Sequence, residues 1–320
     1  MPTLSTHDPT ENRRFHHEAV FYAGEDEFAA VTVPFLQEGL DAGEAALVAV
    51  DVRKRELLMS ALDGQAHQVQ FCDMEYVGRN PARILPVWRE FLEERGGEGK
   101  PVRGIGEPVW PERSDAELVE CHHHESLLNL AFADAPAWSL ICPYDSAGLA
   151  DEVLEAARRT HPHVHHNGSP TQSEAYAEPE TVPLVDGLPE PGVKPRELGF
   201  IGSASLTYLR DFIGESAQGT TLSDGRRNDF VLAVNEVATN SVRHAGGHGT
   251  LRLWIEDDTL VCDVRDEGRI EDALVGRVRP KVDAPSGRGL WVANQLCDLV
   301  QLRSGADGTT VRLHMRAPQG

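Results

Sequence analysis

The stretch that decides the fold of the C-terminal half is Asn235-Glu236-Val237-Ala238-Thr239-Asn240-Ser241-Val242-Arg243-His244. It lies in a run whose periodicity predicts a helix. In a helix, Glu236, Asn240 and either Arg243 or His244 share one face. A carboxylate, a carboxamide and a basic group on one face suit a site that holds a metal-bound phosphate and activates a hydroxyl group or water. The alternative is a polar helix face with this spacing by chance.

Three later motifs favour the first interpretation. Asp266-Glu267-Gly268 ends a predicted strand, where a carboxylate can accept a hydrogen bond from an exocyclic amine and a glycine lets a flat ring approach. Gly287-Arg288-Gly289-Leu290 opens a helix, so its amide groups and the helix dipole face a phosphate. Gly308-Thr309-Thr310 enters the last strand, where hydroxyl groups can complete a base pocket. Each motif alone is common in turns, but their order and spacing together indicate one site.

These motifs resemble those of the GHKL (Bergerat-fold) ATPase superfamily, over residues 200–315, and within it the anti-sigma-factor serine/threonine kinases. The resemblance implies an α+β sandwich that binds ATP and Mg²⁺. It makes Glu236 the general base, Asn240 the Mg²⁺ ligand through its side-chain oxygen, and Asp266 the residue that recognises adenine. The implied nucleotide contacts are Asn240, Arg243, His244, Asp266, Gly268, Gly287, Arg288, Gly289, Leu290 and Thr310.

The sequence departs from that pattern in two places. Ile270 stands where many relatives have a second glycine, and the predicted lid over residues 269–286 is short. No segment resembles the dimerisation hairpin that carries the phospho-accepting histidine of a conventional histidine kinase. Two alternatives to a serine/threonine kinase remain: a non-catalytic ATP-binding module that sequesters a partner, and an atypical sensor histidine kinase.

The N-terminal half alternates short apolar runs with amphipathic stretches. Residues 45–50, 69–71 and 138–142 are predicted strands, and five helices are predicted around them, over residues 27–40, 53–62, 82–94, 115–132 and 149–159. This alternation predicts a mostly parallel sheet with helices on both faces.

The start of this half resembles a RecA/KaiC-like domain, but Glu25-Asp26-Glu27 replaces the expected phosphate loop and would repel phosphate. Other motifs resemble the MEDS sensory domain: Gly106-Glu107-Pro108-Val109-Trp110, Glu125 with Asn129, and Cys142-Pro143-Tyr144-Asp145. The resemblance implies that this domain senses a small molecule that the sequence does not identify. Glu107, Glu125 and Asp145 suggest an acidic pocket at the strand ends, with helix capping and turn formation as the alternative.

Several histidines are grouped in the sequence. His122-His123-His124-Glu125 is interpreted as solvated helix positions, since only His122 and Glu125 could converge. In His16-His17-Glu18, strand alternation separates the two histidines. The histidines over residues 161–166 lie where a linker is predicted to begin, and only a weak, adventitious metal affinity is expected there.

Proline-rich composition divides the chain. Residues 1–14 are predicted to be a disordered tail without a secretory signal, 15–162 the sensory domain, 163–196 a linker and 197–320 the kinase domain.

Composition constrains the partners. The net charge of −21 argues against direct binding to nucleic acid or to anionic membranes, and no run of residues is long and apolar enough to cross a membrane. The five scattered cysteines fit free thiols in the cytoplasm. The kinase resemblance implies a sigma factor or a phospho-accepting antagonist as partner, with roles in transcription regulation and stress response. Relatives of the kinase module often pair, so a homodimer is compatible with the sequence.

Overall fold

The structure is a computed structural model that describes residues 15–97, 100–135, 137–166, 169–178, 187–280 and 287–317. The chain divides into two compact units, one ending at Val182 and one beginning at Pro183. The predicted N-terminal tail lies outside the described residues. None of the described helices is both long and apolar enough to cross a membrane.

The first unit is built on a seven-stranded sheet in the order β3-β2-β4-β5-β1-β6-β7. The first six strands in that order are parallel, and β7 pairs antiparallel with β6. The strands are β1 (Phe15–Tyr22), β2 (Ala45–Val50), β3 (Val69–Asp73), β4 (Val102–Gly106), β5 (Trp138–Asp145), β6 (His163–His166) and β7 (Ser169–Gln172). The helices are α1 (Gly24–Asp41), α2 (Val52–Leu62), α3 (Met74–Val77), α4 (Ile84–Arg95), α5 (Asp115–Ala131) and α6 (Asp151–Thr160).

Helices cover both faces of this sheet, which explains why β2 is apolar along its whole length. Val48 and Val50 belong to a core formed with α1 and α2. On the opposite face α4 brings Trp88 so close to Gly106 that a Cβ there would lie 2.9 Å from the indole ring. The mostly parallel α/β architecture predicted from the sequence is therefore confirmed.

The hairpin β6–β7 falls in the stretch that the sequence predicted as linker. β6 pairs with β1, where Glu18 is opposite His163 and Ala19 is opposite Val164. The first unit therefore extends beyond residue 162, and the linker begins later than predicted. Polar composition concealed these strands because pairing at a sheet edge leaves most of their side chains in solvent.

The second unit is a five-stranded sheet in the order β11-β12-β10-β9-β8, covered by helices that share its apolar core. Its strands are β8 (Arg196–Ile201), β9 (His248–Glu256), β10 (Thr259–Asp266), β11 (Leu299–Gly305) and β12 (Gly308–Arg316), and its helices are α7 (Ser205–Ala217), α8 (Asp224–His244) and α9 (Arg288–Leu296). Every pairing among these strands is antiparallel. The predicted α+β architecture is confirmed.

Candidate functional site

Helix α8 presents the polar face that the sequence predicted. It begins after Ser223, whose Oγ accepts a hydrogen bond from the amide of Arg226 at 3.4 Å. One side of the helix is buried in the core through Phe230, Val234 and Ala238. Since that side is buried, Glu236 and Asn240 on the neighbouring face lie at the edge of the core.

On that edge Glu236 and Asn240 are half-buried and lie one turn apart. Arg243 and His244 follow in the last turn and are exposed. The helix thus places a carboxylate and a carboxamide at the rim of the core, with two basic side chains nearer to solvent.

The start of α9 packs directly against this face. A Cβ on Gly289 would lie 2.6 Å from Nδ2 of Asn240 and 3.0 Å from the backbone oxygen of Glu236. Gly287 caps the helix with φ of 89°, a left-handed conformation that favours glycine. The first turn of α9 therefore meets Asn240, and its dipole and free amide groups can attract an anion there.

The carboxylate of Asp266 is held in a defined orientation at the end of β10. Ser241 donates a hydrogen bond from Oγ to Oδ2 of Asp266 at 2.5 Å, and the amide of Gly268 donates to Oδ1 at 2.8 Å. Each carboxylate oxygen keeps a further lone pair that can accept a hydrogen bond. The link to Ser241 also connects Asp266 to α8, the helix that carries Asn240.

Gly268 has a packing role that the sequence did not indicate. A Cβ at this position would lie 2.6 Å from Cβ of Ala245, just beyond the end of α8. The glycine is therefore needed for the close approach of β10 to α8, in addition to any room it leaves for a ring.

The prediction for Thr310 is wrong, and the neighbouring Thr309 occupies the expected place. Thr309 is opposite Asp266 in the sheet and donates a hydrogen bond from Oγ1 to the carbonyl of Gly268 at 2.8 Å. Thr310 is opposite Arg265, whose guanidinium contacts Asp263 on the other face. Because successive residues of a strand point to opposite faces, Thr310 cannot share the site with Asp266.

The described part of the predicted lid is hydrogen-bonded to β11 and α9 of the second unit. Ile270 packs against the core, and its amide donates to Oγ of Ser304 at 2.8 Å. Asn294 of α9 donates from Nδ2 to the carbonyl of Gly276 at 2.9 Å. Residues 281–286 lie outside the described residues.

The two non-glycine side chains of the motif Gly287-Arg288-Gly289-Leu290 differ in exposure. Arg288 is exposed at the start of α9. Leu290 is 5% exposed and belongs to the core, so its side chain packs instead of reaching the site.

The first unit has a polar cluster at the carboxyl ends of its strands, where open α/β sheets bind ligands. Glu107 accepts a hydrogen bond from Tyr22 Oη at 2.6 Å and contacts Lys54 Nζ at 2.6 Å, and Lys54 also lies 3.3 Å from Asp51. Burial raises the pKa of Glu107 to about 7, an effect that Lys54 and Tyr22 partly oppose. Burial, and then the charge of Glu107, raises the pKa of Tyr22. This group could recognise a small polar ligand.

Glu107 and Asp145 both lie near Tyr22, whose pKa burial and then their charges raise, whereas Glu125 has other partners, so the structure supports only part of the acidic pocket that the sequence suggested. Asp145 accepts a hydrogen bond from the amide of Ala147 at 3.0 Å, which is turn formation. Glu125 contacts His17 and His161. The interpretation of residues 122–125 as solvated is also wrong, because His124 is 1% and Glu125 is 0% exposed.

Comparison with known proteins agrees with this division. Residues 16–162 match the family model of the MEDS domain, the methanogen/methylotroph, DcmR sensory domain, and residues 203–315 match that of the histidine kinase-like ATPase domain. A similar solved structure is that of the RsbU and RsbW domains of Rv1364c from Mycobacterium tuberculosis, with 19% sequence identity and a TM-score of 0.30. That match covers 39% of this chain and 33% of the other, so the chain spans about one third of the length of that structure. The curated proteins contain no significant match.

The antiparallel sheet with α8 and α9 around Asn240 and Asp266 places the second unit in the class of GHKL-type ATPase folds. The chain as a whole joins a MEDS sensory domain to a histidine kinase-like ATPase domain.

Proposed function

We propose that the second unit binds Mg-ATP and transfers the γ-phosphoryl group to a serine or threonine hydroxyl of a small partner protein, under control of the MEDS domain. In this proposal the protein is a cytoplasmic anti-sigma-factor kinase, and its partners are a sigma factor and a phospho-accepting antagonist. The observation that carries the proposal is the contact of Gly289 with Asn240, because it joins an anion-attracting helix start to a metal-type ligand.

The site offers separate groups for the two ends of a nucleotide. Asp266, oriented by Ser241 and Gly268, can accept a hydrogen bond from the amino group of adenine. The amides of the first turn of α9 can hold phosphate oxygens, and Arg243, His244 and Arg288 add positive charge from exposed positions.

Glu236 is suited to act on the acceptor hydroxyl. It lies one turn before Asn240 on the same face and is half-buried, so its carboxylate is near the phosphate end of the site. A carboxylate at this place can orient the hydroxyl and take its proton as the phosphorus–oxygen bond forms.

The residues present also fit Mg²⁺, which prefers oxygen ligands and usually keeps several waters beside one or two protein groups and the phosphates. Asn240 would hold the ion through its carboxamide oxygen at the start of α9. The bound ion would neutralise phosphate charge during transfer.

A hydroxyl acceptor agrees with the environment of the histidines. Phospho-accepting histidines of sensor kinases are followed by an acidic residue, and among the described residues only His17 and His124 are. Each is 1% exposed in the first unit. Neither of these two imidazoles is therefore accessible to a kinase site.

The proposal is tested with the full chain, [γ-³²P]ATP and the proteins encoded beside its gene. We expect acid-stable label on a small partner, and we expect Glu236→Gln to keep its affinity for ATP while transfer falls by about 10²–10⁴-fold. Glu215→Gln, on an exposed position of α7, is the matched control and should transfer at the wild-type rate.

Three results would contradict the proposal. Undiminished transfer by Glu236→Gln would remove Glu236 as the base. Acid-labile label would indicate phosphohistidine. ATP binding by the wild type without transfer to any of these proteins would favour a non-catalytic module.

A further inference from the structure

Four buried side chains from separate elements of the first unit meet at one point. They come from β1, α5, β5 and the residue after α6, and none is more than 1% exposed: His17, Glu125, Cys142 and His161. Their potential ligand atoms all lie within 4.8 Å of one another. We refer to them as the His–Cys cluster.

The hydrogen bonds around the cluster fix which nitrogen of each imidazole carries a proton. His17 Nδ1 lies 2.9 Å from Oδ1 of Asn129, and His161 Nδ1 lies 2.8 Å from the carbonyl oxygen of Ala157. The amide of Asn129 is itself oriented, because its Nδ2 donates to the carbonyls of Thr160 and Glu125. Both Nδ1 atoms therefore face acceptors and donate, which in the neutral imidazoles leaves the Nε2 lone pairs directed into the cluster.

The His–Cys cluster holds more hydrogen-bond acceptors than donors. His17 Nε2 is 3.1 Å and His161 Nε2 is 3.5 Å from Oε2 of Glu125. Among the described residues, Oε1 of Glu125 and Nε2 of His161 are buried without a hydrogen-bond partner. Burying unpaired acceptors is unfavourable, and a cation at their centre would satisfy them together.

The spacing of the ligand atoms fits a tetrahedral ion. Metal–ligand distances of about 2.0–2.1 Å for nitrogen or oxygen and about 2.3 Å for sulfur give tetrahedral edges of about 3.3–3.6 Å. The observed separations are 3.1 and 3.5 Å from the histidines to Glu125, 3.4 Å from Cys142 Sγ to His17 and 3.6 Å from Cys142 Sγ to Glu125. Small movements of these side chains would complete the geometry.

We propose that His17, Glu125, Cys142 and His161 bind one divalent transition-metal ion of the Zn²⁺ class. Two imidazoles, a carboxylate and a thiolate form a mixed set of borderline-soft ligands, which Zn²⁺ accepts in tetrahedral geometry and the oxygen-preferring Mg²⁺ and Ca²⁺ do not. Binding converts the thiol of Cys142 to thiolate and releases its proton to solvent.

The groups around the four side chains hold the two imidazoles in place, as is typical of a metal site. Asn129 and the carbonyl of Ala157 hold the two imidazoles, as second-layer groups do in metal proteins. All four positions are filled by protein ligands, which is typical of structural or sensing sites and not of catalytic ones. The ion would tie β1 and β5 to α5 and to the end of α6, and would make the folding of the sensory domain depend on metal.

The test is a titration of the chelator-treated, reduced full chain with Co²⁺, followed by competition with Zn²⁺. We expect one ion per chain, intense visible bands of tetrahedral Co²⁺ and a near-ultraviolet thiolate charge-transfer band, all of which Zn²⁺ abolishes. Thermal unfolding should shift to higher temperature with Zn²⁺ and back with chelator.

The matched variants are Cys142→Ala and Cys121→Ala, which replace two fully buried cysteines of the same unit. Loss of an outer partner typically weakens metal binding by about 10–100-fold, so loss of the thiolate in Cys142→Ala should weaken it by at least that factor and remove the charge-transfer band. Cys121→Ala should bind as the wild type does.

Two outcomes would overturn the proposal. One is a wild-type protein that binds no Co²⁺ or Zn²⁺, which needs no variant to interpret and would show that the cluster is a hydrogen-bonded network. The other is binding without a thiolate band and unaffected by Cys142→Ala. That result would place the ion on the more exposed histidines of β1 and β6, such as His16 and His165.

Discussion

Replacing Gly289 with alanine would disturb the contact on which the ATP site depends. The added Cβ would lie 2.6 Å from Nδ2 and 3.1 Å from Oδ1 of Asn240, and 3.0 Å from the backbone oxygen of Glu236. The carboxamide can rotate away, but the carbonyl belongs to the helical backbone of α8 and cannot. We therefore expect both a displaced Asn240 side chain and a small separation of α9 from α8.

The size of the effect follows from two opposing contributions. Alanine is favoured over glycine within a helix by about 1 kcal/mol, whereas overpacking a closed contact costs about 1–3 kcal/mol. Gly214 in α7 shows the effect of helix propensity without overpacking, because a Cβ there meets nothing within 4 Å. Gly214→Ala should stabilise the second unit by up to about 1 kcal/mol, and Gly289→Ala should be less stable than Gly214→Ala by about 1–3 kcal/mol.

Urea unfolding of the full chain, with hydrogen exchange read in peptides from α8 and α9, measures this difference within the second unit. Calorimetric titration with Mg-ATP then measures the consequence for the site, where we expect weaker binding by Gly289→Ala and unchanged binding by Gly214→Ala. Equal stability of the two variants together with equal ATP affinity would refute the assignment of this contact to the nucleotide site.

Two further predictions concern the hydrogen bonds of each unit. Ser241→Ala removes the donor to Asp266 Oδ2 and should weaken ATP binding by about fivefold, the equivalent of about 1 kcal/mol. The control is Thr239→Ala, which loses only a bond to the carbonyl of Asn235 and should bind ATP as the wild type does. Equal affinities of the two variants in calorimetry would contradict the role of Asp266. In the first unit, the pKa of Glu107 is raised to about 7 in the folded state, chiefly by burial and also by Asp51, against Lys54 and Tyr22. The stability that the Glu107 proton contributes is full below about pH 4.5 and is lost as the pH rises to about 7. Glu107→Gln should therefore flatten this part of the profile of unfolding free energy against pH by up to about 3 kcal/mol. Parallel profiles of the variant and the wild type in urea unfolding would refute this prediction.

The sequence predicted α8 and its polar face correctly because the information is local. Ser223 supplies a cap, and buried side chains recur at helical spacing up to Ala238, so the helix and its polar face follow without knowledge of the rest of the fold. Strand β4 was not predicted, since its glycines lower strand propensity. Those glycines make room for Trp88 of α4, a contact that only the folded chain reveals.

The error at Thr310 shows where motif matching fails. A motif fixes a position to within a residue, but a shift of one residue in a strand moves a side chain to the other face of the sheet. The register of β10 against β12, which pairs Asp266 with Thr309, decides the assignment. The repeat of two residues in β12 could have given the answer, because Val311 and Leu313 are apolar and Thr309 shares their face.

The His–Cys cluster could not be predicted from neighbouring residues. His17 and Cys142 are distant in the chain and meet because β1 and β5 pair in parallel, with Ala19 opposite Cys142. Three groups of histidines stand out in the sequence, and the residues of each group were interpreted without the others. The fold brings one residue of each group into the cluster: His17, Glu125 and His161. Which residues meet depends on the packing of α5 and α6, and neighbouring residues in the sequence do not reveal it.

The hairpin β6–β7 also protects the edge of the first sheet. It is held there through its pairing with β1, where Glu18 is opposite His163 and Ala19 is opposite Val164. If it detached, β1 would become the edge strand, and the backbone groups that now pair with β6 would lose their partners. An unpaired edge is a template for pairing with a strand of another chain, so these two short strands guard the first unit against edge-to-edge association.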